Sequence, residues 1–85
     1  MAVPVHKVYL WGGLRPFVAG AESIELSANT IRELMRVLGE QYPKLQPQID
    51  EGIAVSVNGT IYRDDWSQKL PTGAEIYLLP RIEGG

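Results

Sequence analysis

Few side chains in this sequence could carry out chemistry, and their scarcity narrows the possibilities at once. There is no cysteine, which removes disulfides, thiolate zinc sites, iron–sulfur clusters and a thiol nucleophile. The single histidine, His6, has no second ligand with which to hold a metal and no nucleophile to activate. It reads as a structural residue early in a strand. Asp64-Asp65 offers two adjacent carboxylates, but without further ligand spacing such a pair reads as a solvated turn. Gly12-Gly13-Leu14-Arg15-Pro16 joins glycines to a cation, yet fits neither phosphate-loop pattern. Arg32 and Arg36 read as a solvated helix face, with Arg36 four residues ahead of Glu40. What remains is the end of the chain, Pro80-Arg81-Ile82-Glu83-Gly84-Gly85.

The elements that would position that end must fit in 85 residues. A chain of this size buries roughly 60–65% of its extended surface, enough for one core and not two. Hydrophobic content of 45% with 21% charge is ordinary globular composition, far from the signature of disorder. A formal net charge of −2 argues against tracking nucleic-acid phosphates, which needs a basic face. No apolar run approaches the ~20 residues of a membrane span. Met1 to Lys7 lacks the basic-then-apolar pattern of a signal peptide. The expected setting is the cytosol, without nucleic-acid or membrane partners.

Five apolar segments alternate with short turn signals. Val5 to Trp11 predicts a strand with Val8 and Leu10 on one face and Lys7, Tyr9 and Trp11 on the other. Gly12-Gly13 ends it, and Leu14 to Ala21, with Pro16 and Gly20, reads as a loop. Glu22 to Ser27 predicts a second strand, antiparallel to the first, with Ile24 and Leu26 inward. Ile31, Leu34, Met35, Leu38 and Tyr42 form one stripe of a 3.6-residue period, the clearest element of the chain. Thr30 followed by Glu33 fits a capping box, with Asn29 the alternative cap, and Pro43 stops the helix by Tyr42. Lys44 to Gly52 reads as a connecting loop. Ile53, Val55 and Val57 alternate with Ala54, Ser56 and Asn58 as a half-buried strand. Asn58-Gly59 predicts a type I′ turn into Thr60-Ile61-Tyr62. Asp64 to Gly73 is rich in turn residues, with Leu70 the expected buried plug. Glu75 to Leu79 predicts the last strand, with Ile76 and Leu78 inward.

This order, β-β-α-β-β-β, predicts a two-layer α+β domain over residues 1–79, followed by a tail over 80–85. One helix covers one face of the sheet. The other face presents Tyr9, Trp11, Tyr77 and Leu79, an apolar set of the kind that marks a protein contact. A register displaced by one residue would exchange the two faces.

The chain resembles the ubiquitin-like β-grasp sulfur carriers of the MoaD/ThiS group over essentially its whole length. The resemblance rests on Val8-Tyr9-Leu10, Thr30-Ile31-Arg32-Glu33-Leu34, Gln41-Tyr42-Pro43 and Val57-Asn58-Gly59. It continues through Leu70, Gly73-Ala74-Glu75-Ile76, Leu79-Pro80 and Gly84-Gly85. The chain departs from the group at Ala74, where an aspartate is usual, and at Arg81, where a second proline is common. The resemblance implies a mixed sheet of four to five strands with one helix packed on it.

It also implies a carrier rather than an enzyme, with no cofactor and no metal. The Gly85 carboxylate would be activated by an ATP-dependent adenylating enzyme and converted to a thiocarboxylate with sulfur from a donor protein. Gly84 and Gly85, lacking Cβ atoms, suit threading into a tight channel, and six residues reach at most ~20 Å. Leu79, Tyr77, Tyr9, Trp11, Pro80, Arg81 and Ile82 are the expected partner contacts. The long connection after the first strand leans towards the small subunit of molybdopterin synthase, serving a large subunit in molybdenum cofactor biosynthesis. The alternatives are carriage for thiamine, cysteine or tRNA thiolation by an equivalent sulfur-accepting enzyme, and a ubiquitin-like modifier or binding module.

Overall fold

The structure is a computed structural model and describes residues 3–63 and 65–80. Its strands are β1 (Val5–Leu10), β2 (Ser23–Ser27), β3 (Ile53–Val57), β4 (Thr60–Tyr62) and β5 (Ile76–Pro80). They form one mixed five-stranded sheet in the order β2-β1-β5-β3-β4. β1 and β5 run parallel at its centre, and the other neighbours are antiparallel.

The helix α1 (Ile31–Gln41) crosses one face of this sheet. Ile31, Leu34 and Leu38 have no exposed surface and Met35 has 2%, as the 3.6-residue stripe requires. Thr30, not Asn29, is the cap: its backbone is extended and its Oγ1 accepts the Glu33 N–H at 3.2 Å. The other first-turn donors are met by the chain preceding β5, Ile31 N–H bonding Gln68 O and Arg32 N–H bonding Trp66 O. That segment also buries Leu70, the predicted plug.

Two segments expected as irregular loops are wound instead. Gly12–Val18 is a 3-10 segment closed by Ala19 at φ 58, and it sends Leu14 and Val18 into the core. Pro16 does not break it, because short 3-10 turns have few internal N–H bonds to lose. Pro43–Leu45 is a 3-10 turn leading into a second helix, α2 (Gln46–Glu51). There Pro47 stands in the first turn, where its missing N–H is not needed. Leu45 and Ile49, four apart, supply the buried face. Gly52, at φ 108, ends α2 in a backbone conformation that favours glycine.

The cross-strand register fixes which residues share a face. Val55 pairs with Leu78 and Val57 with Ile76, while Leu10 also faces Leu78. His6, Val8, Leu10, Ile24 and Leu26 therefore lie under the helices with Ile76 and Leu78. The alternation read from the sequence is the observed one, and the exchanged faces do not occur. β5 is displaced by one residue from the expected strand: Glu75 precedes it and Pro80, expected in the tail, closes it opposite Ile53. β3 is buried along its whole length rather than half-buried.

Candidate functional site

The face of the sheet not covered by helices carries the candidate site. Five residues line up across it in register, one per strand: Ser23, Tyr9, Tyr77, Ser56 and Ile61. Leu79 and Ala54 form the next pair towards the end of β5. The sequence predicts Tyr9, Tyr77 and Leu79 here, and all three lie here.

Large side chains stand on this face. The rings of Tyr9 and Tyr77 stack with centroids 5.0 Å apart and planes 21° from parallel, the offset arrangement aromatic pairs favour. Lys7 Nζ sits 5.3 Å from the centre of the Tyr9 ring, so the stack carries a cation at one side. At the other side the Tyr77 hydroxyl donates to Glu75 Oε1 at 2.9 Å. That bond raises the Tyr77 pKa above its ordinary value of 10.0, with desolvation and the charge of Glu75 acting in the same direction.

Trp11 belongs to this set although β1 ends one residue before it. Its N–H bonds Leu78 O at 3.0 Å, continuing the parallel ladder, and its side chain is 51% exposed. The ring lies back over Gly13, where any Cβ would collide with it. Glycine at 13 is thus what lets the indole lie flat. Trp11 and Leu79 follow the paired residues Leu10 and Leu78, so both stand at the level where β5 runs out. Pro80 is half-buried there. Arg81, Ile82, Gly84 and Gly85 lie outside the described residues, as does Asp64.

Ile61 is a member the sequence reading missed. It is 50% exposed and pairs with Ser56. The signal was available, since a two-residue turn at Asn58-Gly59 fixes the pairing and places Ile61 on the open face. Between Ile61 and Tyr77 stand the short side chains of β3, of which Ser56 and Ala54 are buried.

His6 lies elsewhere, 1% exposed on the covered face. Its Nε2–H donates to Ala28 O at 2.9 Å while Nδ1 is buried without a partner. The carbonyl can only accept, which assigns the proton to Nε2. The histidine ties β1 to the segment after β2 and touches nothing reactive. Asp65 accepts the Ser67 hydroxyl at 2.6 Å, as in a local polar turn. Among the described residues no group of three or more histidines and acids could hold a metal. No helix there is long and apolar enough to cross a membrane. Arg36 pairs with Glu40 at 3.0 Å on the solvated side of α1.

A twisted mixed sheet gripping a helix, with the opposite face apolar and open, defines a small ubiquitin-like β-grasp protein. Similar solved structures share this fold. A putative molybdopterin converting factor subunit 1 from Pyrococcus furiosus superposes with a TM-score of 0.77 at 19% identity, over 93% of this chain and 99% of its own. The small archaeal modifier protein 1 of Methanosarcina acetivorans gives 0.70 at 22% identity, with both chains fully covered at 100%. The complex of subunits 1 and 2 of molybdopterin-converting factor from Helicobacter pylori gives 0.66 at 25% identity, over 95% of this chain and 99% of that one. No curated protein sequence matches significantly. The model of the ThiS family matches residues 8–85; the chain belongs to this family of small ubiquitin-like sulfur carriers.

Proposed function

We propose that this protein carries sulfur as a thiocarboxylate on Gly85, and that it serves as the small subunit of a molybdopterin synthase. The observation that carries the reading is the family match running from Val8 through Gly84-Gly85. The pathway rests on likeness to two molybdopterin-converting-factor subunits, one of them described in complex with its second subunit.

The roles divide between the body and the last residues. A carboxylate is a poor acylating group, because the departing oxygen is too basic. A partner enzyme therefore joins the Gly85 carboxylate to AMP, expelling pyrophosphate from ATP. The outer sulfur of a donor protein's persulfide then displaces AMP to give an acyl disulfide. A thiol cleaves this S–S bond by two-electron reduction and is itself oxidised to a disulfide. The thiocarboxylate so released is offered to the sulfur-accepting large subunit. The chain supplies no catalytic base for this. Its own contribution is recognition: Tyr9, Tyr77, Trp11, Leu79 and Ile61 form the docking face, and Pro80 ends the sheet beside it. Arg81 and Ile82 continue the contact, and Gly84 threads the channel that Cβ-bearing residues would block.

Intact-mass spectrometry of the protein incubated with ATP, an adenylating enzyme, a persulfide donor and a reducing thiol tests this. The expected product is heavier by the difference between sulfur and oxygen, located at Gly85. A chain that keeps only its carboxylate under these conditions overturns the reading. A chain with Gly85 deleted, or with a residue appended after it, should fold and accept no sulfur.

A further inference from the structure

The two-residue turn between β3 and β4 contains a reaction that the carrier function does not use. Asn58 is one of only two asparagines in the chain, and glycine follows it. Both turn residues are exposed, Asn58 at φ 50 and Gly59 at φ 87. Nothing lies within 4 Å of the place a Cβ would occupy on Gly59, so the turn stands in open space on that side. The Asn58 side chain is engaged, its Oδ1 accepting the Glu75 N–H at 2.9 Å, and the backbone N–H of Asn58 donates to Glu75 O at 2.9 Å. The side chain thus makes one more rung between the β3–β4 hairpin and the start of β5, beyond the Val57–Ile76 pair.

We propose that Asn58 is a site of spontaneous deamidation through a succinimide, and that the rung to Glu75 holds it unreacted in the folded chain. In the reaction a base removes the Gly59 amide proton and the nitrogen forms a bond to Asn58 Cγ. The Cγ–Nδ2 bond breaks, and ammonia leaves with a proton. Water then opens the ring at one carbonyl or the other, leaving aspartate or isoaspartate; nothing is oxidised or reduced. To react, the side chain must leave Glu75, so reaction follows local opening of the turn. The isoaspartate product adds a backbone carbon to a two-residue turn whose angles fit only that length. The rung would not re-form, and the start of β5 at Ile76, next to Tyr77 of the open face, would be loosened. Asn29, followed by threonine with a bulkier side chain, is the internal control.

The test compares the untagged protein with the same chain in guanidinium chloride at one pH and temperature, by peptide mapping and isoaspartyl methylation. Isoaspartate should accumulate at 58 and not at 29, and more slowly in the folded chain by about tenfold or more. Glu75→Pro removes the N–H that holds Oδ1 and should bring the folded rate towards the unfolded one. If that variant does not fold, exchange of the Glu75 amide hydrogen in the unaltered chain should be slowed by at least the same factor. Equal rates in folded and unfolded chains overturn the protective role of the rung. Absence of isoaspartate at 58 in the unfolded chain overturns the site altogether.

Discussion

Alternate residues of the same five strands meet two different surroundings. Beneath the helices, Val8, Val55, Ile76 and Leu78 have no exposed surface, and His6 is the one buried polar side chain among the described residues of that face. On the other side stand stacked tyrosines, an exposed indole and Ile61, with two small buried residues among them. The first set is what folding needs; the second would be a liability unless something covers it. Neighbouring positions on one strand should therefore fail in different ways.

Leu78 and Leu79 test this most directly. Leu78→Ala should cost about 2–5 kcal/mol, lost burial plus an unfilled cavity. That is a large part of the 5–15 kcal/mol typical of a domain, and urea denaturation would show it as a much lower midpoint. Leu79→Ala should cost under about 1 kcal/mol, because half-exposed positions have less to lose. Equal losses would abolish the distinction between the faces.

His6→Ala sharpens the same comparison from the covered side. It leaves the Ala28 carbonyl buried without its donor, at about 1–3 kcal/mol, and opens a cavity besides. Denaturation again measures it. A change below that range would mean that the bond between Nε2 and Ala28 O does not hold β1 to the segment after β2.

How much of this was legible in the sequence depended on the period of each segment. Ile31 to Leu38 repeats at helical spacing for two turns, and Val8, Leu10, Ile76 and Leu78 alternate, so α1 and the two faces could be read directly. The 3-10 segment and α2 could not, because Gly12-Gly13, Pro16 and Pro47 mark turns more loudly than the single i, i+4 pairs Leu14–Val18 and Leu45–Ile49 mark helices. The open apolar face was legible where a strand had two outward apolar residues. It was missed at Ile61, which stands alone between Thr60 and Tyr62.

From the open side, Tyr77→Asp and Leu79→Asp should leave the fold in place and weaken binding to the partner subunit by about tenfold or more each. Aromatic and aliphatic anchors near an interface centre typically carry that much. Titration calorimetry against the partner, with circular dichroism as the control for folding, checks both. Ile61→Asp should behave alike if the face extends to β4 as the register places it. Unchanged affinity in all three variants would remove this face from the docking surface.

The smallest effect comes from the pair at the rim of that face. The Tyr77 hydroxyl donates to Glu75, and the bond and the nearby charge favour the neutral phenol. Its pKa is therefore higher folded than unfolded. Below the ordinary value of 10.0 both states hold the proton, and the interaction contributes in full. As pH rises from there through the raised folded value, the unfolded chain has released a proton the native state retains, so stability falls across that window. Glu75→Gln keeps an acceptor oxygen but removes the charge, and should return the phenol only part of the way. Glu75→Ala removes both and should return it further, leaving only the smaller upward push of desolvation and Tyr9. Following the Tyr77 ring by NMR through an alkaline titration reads the midpoint directly. Because the pair is open to water, solvent screening keeps its share of stability small. A Tyr77 midpoint unmoved in Glu75→Ala would show that the phenol is held neutral by the open face itself rather than by its bond to Glu75.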